Sequence, residues 1–194
     1  TQKVVGTLRE AVENWQTFSP LLRELDLLLN SGKAKDALSV DENLFHSALP
    51  RSFQWADASA FLHHVRLIRK SRNVPLPENL LTVPLMYQGG SDSFLAPHED
   101  IPQIDFAHGT DFEGEVAVIV DDVPMGVSPE KALNHIILLV LVNDVSLRGL
   151  AAEELAQGFG FFQCKPSSTL SPFALTLDEL GEAWNGGRLH LPLS

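Results

Sequence analysis

Residues 111–120, DFEGEVAVIV, carry the strongest structural signal in this chain. The last six of them are a near-continuous run of β-branched and small apolar residues, which predicts a strand covered on both faces. Because side chains alternate along a strand, Asp111, Glu113 and Glu115 are expected on one face, at spacings of about 7 Å. That face continues into apolar side chains, so the three acids lead directly into an apolar surface.

Acids packed against a desolvated surface repel one another. Each tends to keep its proton unless a cation neutralises the group. Oxygen ligands of this kind suit Mg²⁺, Ca²⁺ or Mn²⁺ better than zinc. The residues alone leave a second interpretation open, in which the acids lie at a solvated strand end and bind nothing.

Another acid, Asp144, follows the next apolar run, Ile136 to Val142, where a second predicted strand ends. Residues that carry function often lie where a rigid element passes into a loop. The alternative is a turn aspartate that bonds to nearby amides, which is common for an Asn-Asp pair. Arg148 follows four residues later and is a candidate partner for Asp144.

Asp57 and His64 form a further pair of candidates. Their spacing of seven residues is almost two helical turns, so one amphipathic helix from Asp57 to Arg72 would place both on the same face. A histidine there can act as a general base near neutral pH. In the alternative interpretation Asp57 caps the helix and His64 lies at the edge of the core.

Lys165 emerges from the aromatic stretch FFQC (161–164). Such a lysine can stabilise a developing oxyanion, or it can be a surface residue with a buried stem. Cys164 has no activating partner in the sequence and is expected to be a small buried residue.

The order of elements predicts an α+β protein, because helical patterns come first and mainly strands follow. Thr7 is expected to cap a first helix, Ser19-Pro20 to begin a second, and Asn30-Ser31-Gly32 to end it. A short helix should begin at Ser128-Pro129-Glu130. Further strands are expected within residues 159–165, 173–177 and 189–193.

Composition excludes several classes of protein. The chain has 194 residues and a formal net charge of −11, which argues against a nucleic-acid binder. The single cysteine excludes an internal disulfide framework and fits a reducing compartment. The longest apolar run is far shorter than the roughly 20 residues of a membrane helix. A cytoplasmic protein that binds neither nucleic acid nor membrane is the prediction.

Several motifs together resemble the fumarylacetoacetate hydrolase family, in their order and spacing. They are LP (49–50), Asp57 with His64, PLMYQGGS (84–91), DFEGEV (111–116), NDVS with Arg148 (143–148), GFFQCKPS (160–167) and SP (171–172). The resemblance implies a catalytic domain over residues 49–194 after a helical segment over residues 1–48. It also implies a mixed, rolled β-structure that is incomplete at the C-terminus, and a homodimer.

The resemblance also implies the roles of individual residues. One divalent cation, Mg²⁺ or Ca²⁺ with Mn²⁺ as a further candidate, would be held by Asp57, Glu113, Glu115 and Asp144. His64 would activate the attacking water, Lys165 and Arg148 would stabilise oxyanion charge, and Tyr87 would line the substrate pocket.

The implied reaction is hydrolysis of a carbon–carbon bond in a small anionic β-diketone acid. The first expectation is fumarylacetoacetate, cleaved to fumarate and acetoacetate at the end of aromatic amino-acid (tyrosine) breakdown. One alternative is an acylpyruvate hydrolase or an oxo-acid decarboxylase or isomerase on the same scaffold. Another is a truncated module that binds a metal or a partner without catalysis.

Overall fold

The computed structural model describes residues 4–192 and confirms the α+β class. Its α-helices are α1 Leu8–Glu13, α2 Trp15–Asn30, α3 Leu62–Ser71, α4 Pro129–Ala132 and α5 Arg148–Ala156. The strands are β1 Trp55–Ala58, β2 Met86–Gly89, β3 Thr110–Asp111, β4 Gly114–Val120, β5 Ile136–Asn143, β6 Ser146–Leu147, β7 Thr169–Leu170, β8 Leu175–Thr176, β9 Trp184–Asn185 and β10 Arg188–Leu189. Short 3-10 helices lie at Glu42–Leu44, Phe106–His108, Leu133–His135 and Leu177–Ala183.

The strands form four small sheets, and β5 is the centre of the largest one. It pairs antiparallel with β4 along most of its length, and with β7 and β8 along its other edge. The pairs β1–β2, β3–β6 and β9–β10 are separate two-stranded sheets. All these pairs are antiparallel, and one parallel bridge joins Leu95 to Thr169. No closed barrel forms among the described strands.

The hydrophobic core is built around β5 of this sheet. It consists of Val12, Phe94, Ile119, Ile137, Leu138, Val140, Val142 and Leu170. β5 is buried along most of its length, as its apolar sequence predicts. The prediction that β4 is covered on both faces is wrong for the described residues: Val116, Val118 and Val120 are exposed, because nothing in residues 4–192 covers that face.

The N-terminal helices were predicted correctly except for where the second one begins. Thr7 caps α1 by accepting a hydrogen bond from the Glu10 amide at 3.1 Å. α2 begins at Trp15 and passes through Pro20, so the predicted start at Ser19-Pro20 is wrong. Proline in a helix removes one backbone hydrogen bond, here to the Gln16 carbonyl, and the turns on either side continue the helix. Among residues 4–192, none of the helices combines the length and the apolar sequence that a membrane span requires.

Asp57 lies on a strand, and the prediction of one helix from Asp57 to Arg72 is wrong. It is in β1, where it is paired with Tyr87 of β2, and α3 begins only at Leu62. Strand pairing with a segment about 30 residues away overrides the local helical pattern. Asp57 and His64 therefore do not share a helix face.

Two other strand predictions also need correction. Asp111 ends β3, which pairs with β6, whereas Glu115 belongs to β4, which pairs with β5. The three acids of residues 111–115 therefore do not line one continuous strand.

Residues 159–165 form turns and no strand, because three of their amides bond to the Glu154 side chain of α5. In the last predicted strand, Leu189 lies in β10 and Leu193 falls outside the described residues.

Candidate metal centre

Three carboxylates from distant parts of the chain meet beside the end of β5. Asp57 comes from β1, Glu115 from β4, and Asp144 directly follows β5. Each offers one oxygen, and the three oxygens lie within 4.8 Å of one another. Asp144 is fully buried, and the other two are partly buried. The spacing and the all-oxygen chemistry fit a hard divalent cation.

Local backbone pairing brings these acids together. Glu115 pairs with Val142 in the β4–β5 ladder, and the Asp144 amide donates to the Glu113 carbonyl at 2.9 Å. The hydroxyl of Tyr87, the strand partner of Asp57, donates a hydrogen bond to Asp144. The two-stranded β1–β2 sheet is therefore attached to the main sheet through Asp144.

Lys165 is the counter-ion of the cluster. Its ammonium group donates to Asp144 Oδ2 at 2.6 Å, to Glu113 Oε2 at 2.8 Å and to the Ser146 hydroxyl at 2.7 Å. Its side chain is only 9% exposed. The ammonium also lies 5.2 Å from the centre of the Tyr87 ring, which packs edge-on against Phe161. The structure thus places Lys165 and Tyr87 at the same centre as the acids.

Glu113 lies beside the three carboxylates and is bound by two cations. Lys165 donates to one of its oxygens and Arg148 to the other, and Arg148 also bonds to the exposed Asp111 at 2.9 Å. Arg148 therefore pairs with Asp111 and Glu113, and not with Asp144. Its place at the start of α5 depends on Gly149, where a Cβ would lie 2.1 Å from the Ala107 carbonyl oxygen.

The pKa values of the acids differ according to their partners. Burial and the neighbouring acids Asp57 and Asp144 raise the pKa of Glu115 to about 7. Burial and Asp144 also raise the pKa of Asp57, although Lys165 opposes this. Burial acts in the same direction on Glu113, but Lys165 and Arg148 outweigh it and lower its pKa to about 2. Glu115 and Asp57 therefore have too little positive charge nearby to offset burial and the neighbouring carboxylates.

The charges of the carboxylates and of the neighbouring cations do not cancel. When ionised, the acids Asp57, Glu113, Glu115 and Asp144 carry four negative charges, and Lys165 and Arg148 supply two positive ones. One divalent cation would balance the remainder. The donor set therefore fits the metal, with Asp57, Glu115 and Asp144 as the residues that would hold it and Glu113 adjacent.

His64 lies apart from this hydrogen-bond network. It is exposed on α3, and its imidazole makes no hydrogen bond or ion pair with another described residue. The chain connects it to the centre by a short segment between β1, which carries Asp57, and the first turn of α3. Its role as a base stays a prediction.

Two buried hydroxyls belong to the site although sequence reasoning gave them no role. Ser168 donates to Asp144 at 3.1 Å, and Ser146 donates to Glu113 at 3.1 Å while accepting from Lys165. Ser146 follows Asp144 within the NDVS motif, and Ser168 directly follows KPS. The only signal in the sequence was their position close to candidate residues, Ser146 after Asp144 and Ser168 after Lys165.

The family models cover nearly the whole chain. Residues 54–193 match the model described as fumarylacetoacetate (FAA) hydrolase C-terminal, and residues 1–51 match fumarylacetoacetase N-terminal domain 2. The chain belongs to the fumarylacetoacetate hydrolase family. The three-carboxylate centre lies entirely within the first of these matches.

Solved structures share this fold. A structure titled "Crystal structure of a putative HpcE protein from Mycobacterium smegmatis" is 17% identical, with a TM-score of 0.63 over 93% of this chain and 59% of that one. The crystal structure of Cg1458 with inhibitor is 16% identical, with a TM-score of 0.50 over 73% of this chain and 54% of that one. The chain therefore spans somewhat more than half the length of these proteins. No curated protein matches it significantly.

Metal affinity of this family member is expected to rise with pH and to level off above about pH 7. Glu115, with a pKa of about 7, keeps its proton at lower pH, so a cation must displace it. Affinity should change by up to about tenfold per pH unit below that value. The check is calorimetric titration with Mn²⁺ from about pH 5.5 to 8, in buffers of different ionisation enthalpy, to count the released protons.

The sign for stability is the opposite of that for affinity. A pKa raised from 4.5 to about 7 means that the metal-free fold gains from protonated Glu115 below pH 4.5 and loses that gain as pH rises through 7. Glu115→Gln should bind Mn²⁺ weakly, and its Mn²⁺ affinity should lose the part of the pH dependence near pH 7 that Glu115 contributes. An affinity that is flat over this range in the unsubstituted protein would contradict the assigned pKa.

Proposed function

We propose that the chain carries the centre of a divalent-cation-dependent enzyme that hydrolyses a carbon–carbon bond in a small β-diketone acid, with fumarylacetoacetate as the first candidate substrate. One observation carries the proposal: the ammonium group of Lys165 lies 2.6 Å from Asp144, within a cluster of three carboxylates that can hold a dication. Membership of the family supports the same reaction class. Cytoplasmic location and a homodimer remain part of the proposal.

The bound cation, Mg²⁺ or Ca²⁺ with Mn²⁺ as a further candidate, would supply Lewis-acid polarisation of substrate oxygens. Asp57, Glu115 and Asp144 would hold it, with Glu113 as the fourth acid that the family resemblance implies. This chain's own residues would perform the remaining steps.

Lys165 and Arg148 are suited to stabilising negative charge on substrate oxygens. Both are anchored by Glu113, and Lys165 is nearly buried, so its charge is only weakly screened by water. Preorganised cations of this kind stabilise a developing oxyanion without reorganising during the reaction. Tyr87 and Phe161 form an aromatic wall next to Lys165.

A cleft of about 190 Å³ opens beside Lys165. Phe161 and Phe162 supply its apolar wall, and the backbone at Gly89 and Gly90 forms another side. The cleft suits a short acyl chain whose carbonyl lies against the ammonium group. We assign the substrate's acyl part to this cleft.

In the proposed step His64 removes a proton from water, and the water oxygen attacks the carbonyl carbon. The carbon–carbon bond then breaks, and its electron pair passes to the neighbouring carbon as an enolate, which takes up a proton. For fumarylacetoacetate, one water molecule is consumed, and fumarate and acetoacetate are formed.

The test is a cleavage assay on chelated protein before and after addition of Mg²⁺, Ca²⁺ or Mn²⁺. Fumarylacetoacetate, an acylpyruvate and oxaloacetate are compared by product analysis. Metal-restored cleavage of fumarylacetoacetate supports the proposal. Turnover of oxaloacetate alone identifies a decarboxylase, and metal binding without turnover of any of the three identifies a non-catalytic binding module.

Replacement of His64 by alanine is expected to lower kcat by about 10²- to 10⁴-fold, because a general base contributes about that much. Mn²⁺ affinity should stay unchanged, since no hydrogen bond or ion pair joins the His64 side chain to the three carboxylates. The matched control is His63→Ala, which removes the neighbouring exposed histidine of the same helix. Equal turnover in the two variants would remove His64 from the mechanism.

A further inference from the structure

Glu154 holds the backbone of the segment that leads to Lys165. Its carboxylate accepts hydrogen bonds from three consecutive amides: Phe162 at 3.1 Å and Cys164 at 3.0 Å on one oxygen, and Gln163 on the other. Glu154 is on α5, eight to ten residues before these amides. The Glu154 carboxylate therefore accepts the amide hydrogen bonds that a neighbouring strand would otherwise accept.

Residues 159–165 make few other backbone hydrogen bonds. Gly158 and Gly160 have φ values of 81° and 94°, in the left-handed region that favours glycine, so the chain turns sharply before the aromatic stretch. Residues 158–168 are not part of any strand. The Cys164 carbonyl accepts from the Leu147 amide at 2.8 Å, which joins the segment to β6. Glu154 provides the remaining anchorage at residues 162–164.

We infer that Glu154 is a positioning residue, which fixes Lys165 against Glu113 and Asp144 by holding the amides of residues 162–164. The effect on catalysis rests on the proposed function, whereas the anchorage itself does not. Lys165 directly follows the last anchored residue, and its amide closes a turn onto the Phe162 carbonyl at 3.3 Å. Release of the three amides would therefore free the backbone that carries the ammonium group.

Charge supports this assignment. Partial burial acts to raise the pKa of Glu154, but hydrogen bonds from the Cys164 thiol and amide and from the amides of Phe162 and Gln163 lower it to about 2. The carboxylate is thus ionised throughout the neutral range. The Cys164 thiol is buried beside it, and burial together with Glu154 raises the thiol pKa to about 12.

Two readouts test the inference in Glu154→Gln, because glutamine keeps the side-chain shape but has one acceptor oxygen in place of two. The first is alkylation by iodoacetamide, followed by intact mass at several pH values and expressed as a rate per thiolate, because loss of the Glu154 charge alone would also lower the thiol pKa. Cys164 is the chain's only cysteine. The second is the kcat and KM of the metal-loaded protein. The matched control is Glu153→Gln, which removes the same charge from an exposed neighbour on α5.

We expect Glu154→Gln to be alkylated at least about tenfold faster than the control, and its kcat to fall at least about tenfold with KM nearly unchanged. Glu154→Asp retains both oxygens on a shorter arm and should recover part of both effects. An alkylation rate equal to that of the control overturns the anchorage. Faster alkylation with an unchanged kcat overturns the link to Lys165.

Failure of the proposed function can be recognised separately. If the unsubstituted protein cleaves none of the three test substrates, that proposal fails. Glu154 is then judged by denaturant unfolding of Glu154→Gln, Lys165→Met and the double variant. Coupled losses of stability support positioning, and fully additive losses overturn it.

Discussion

Substitution of Asp144 by alanine is expected to lower the free energy of unfolding by about 3–5 kcal/mol, because it removes one of the two carboxylates paired with a nearly buried ammonium group and leaves two hydroxyls without their acceptor. Asp144 is 0% exposed and accepts hydrogen bonds from Lys165, Tyr87 and Ser168. The same change should abolish tight binding of a divalent cation, since it removes one of three converging carboxylates. Denaturant unfolding and calorimetric titration with Mn²⁺ measure the two effects.

Asp111→Ala is the matched control for this change. It also removes a carboxylate from the charged network, but Asp111 is about half exposed and contacts only Arg148 of the two cations. An exposed ion pair contributes about 0–1 kcal/mol, so this variant should unfold close to the unsubstituted protein and keep its Mn²⁺ affinity. If Asp144→Ala were no less stable than Asp111→Ala, the contacts of Asp144 would not hold the β1–β2 sheet and Lys165 to the main sheet as proposed.

The parts of the fold that sequence predicted are those decided by local chemistry. Thr7 caps α1 and Ser128 caps α4, since each cap needs only the next few amides. β5 was predicted because a continuous apolar run of seven residues, 136–142, is long enough to be recognised as a buried strand. Helix α5 was missed although residues 148–156, RGLAAEELA, are rich in alanine, leucine and glutamate, which favour helix.

The parts that sequence did not predict are decided by distant partners. Asp57 lies in a strand only because Tyr87 and its neighbours pair with it, and nothing in residues 57–72 specifies that pairing. Residues 159–165 look like a strand, but the Glu154 carboxylate takes three of their amides. The pKa values of the acids also depend on distant partners. The pKa of Glu113 is lowered and that of Glu115 is raised, because only Glu113 is paired with Lys165 and Arg148.

The candidate site was nonetheless recognisable from the sequence. Asp57, Glu115, Asp144, Tyr87 and Lys165 were selected from motifs, and the structure brings all five together. Their convergence depends on two different strand pairs, β1–β2 and β4–β5, and on the turn that carries Lys165. Spacing along the chain could therefore suggest the chemistry but could not give the geometry. The two buried serines were overlooked because a hydroxyl has no sequence signature of its own.

Lys165→Met is expected to separate catalysis from metal binding. Loss of one preorganised cation or donor at an oxyanion costs about 10²- to 10³-fold in kcat, so turnover should nearly vanish. Mn²⁺ affinity near pH 8 should instead rise by at least about tenfold, because a positive charge 2.6 Å from Asp144 no longer repels the incoming dication. Steady-state kinetics and calorimetric titration at the same pH measure both quantities.

Lys131→Met is the control, because Lys131 is a lysine of α4 at an exposed position. It should change neither quantity, since screening by water weakens an exposed charge. The metal-free Lys165→Met protein should also lose stability at neutral pH, where Glu113 and Asp144 become buried charges without Lys165, and Mn²⁺ should restore it. Weaker Mn²⁺ binding in Lys165→Met than in Lys131→Met would mean that Lys165 organises the carboxylates for the cation, and the competition between the two positive charges would be refuted.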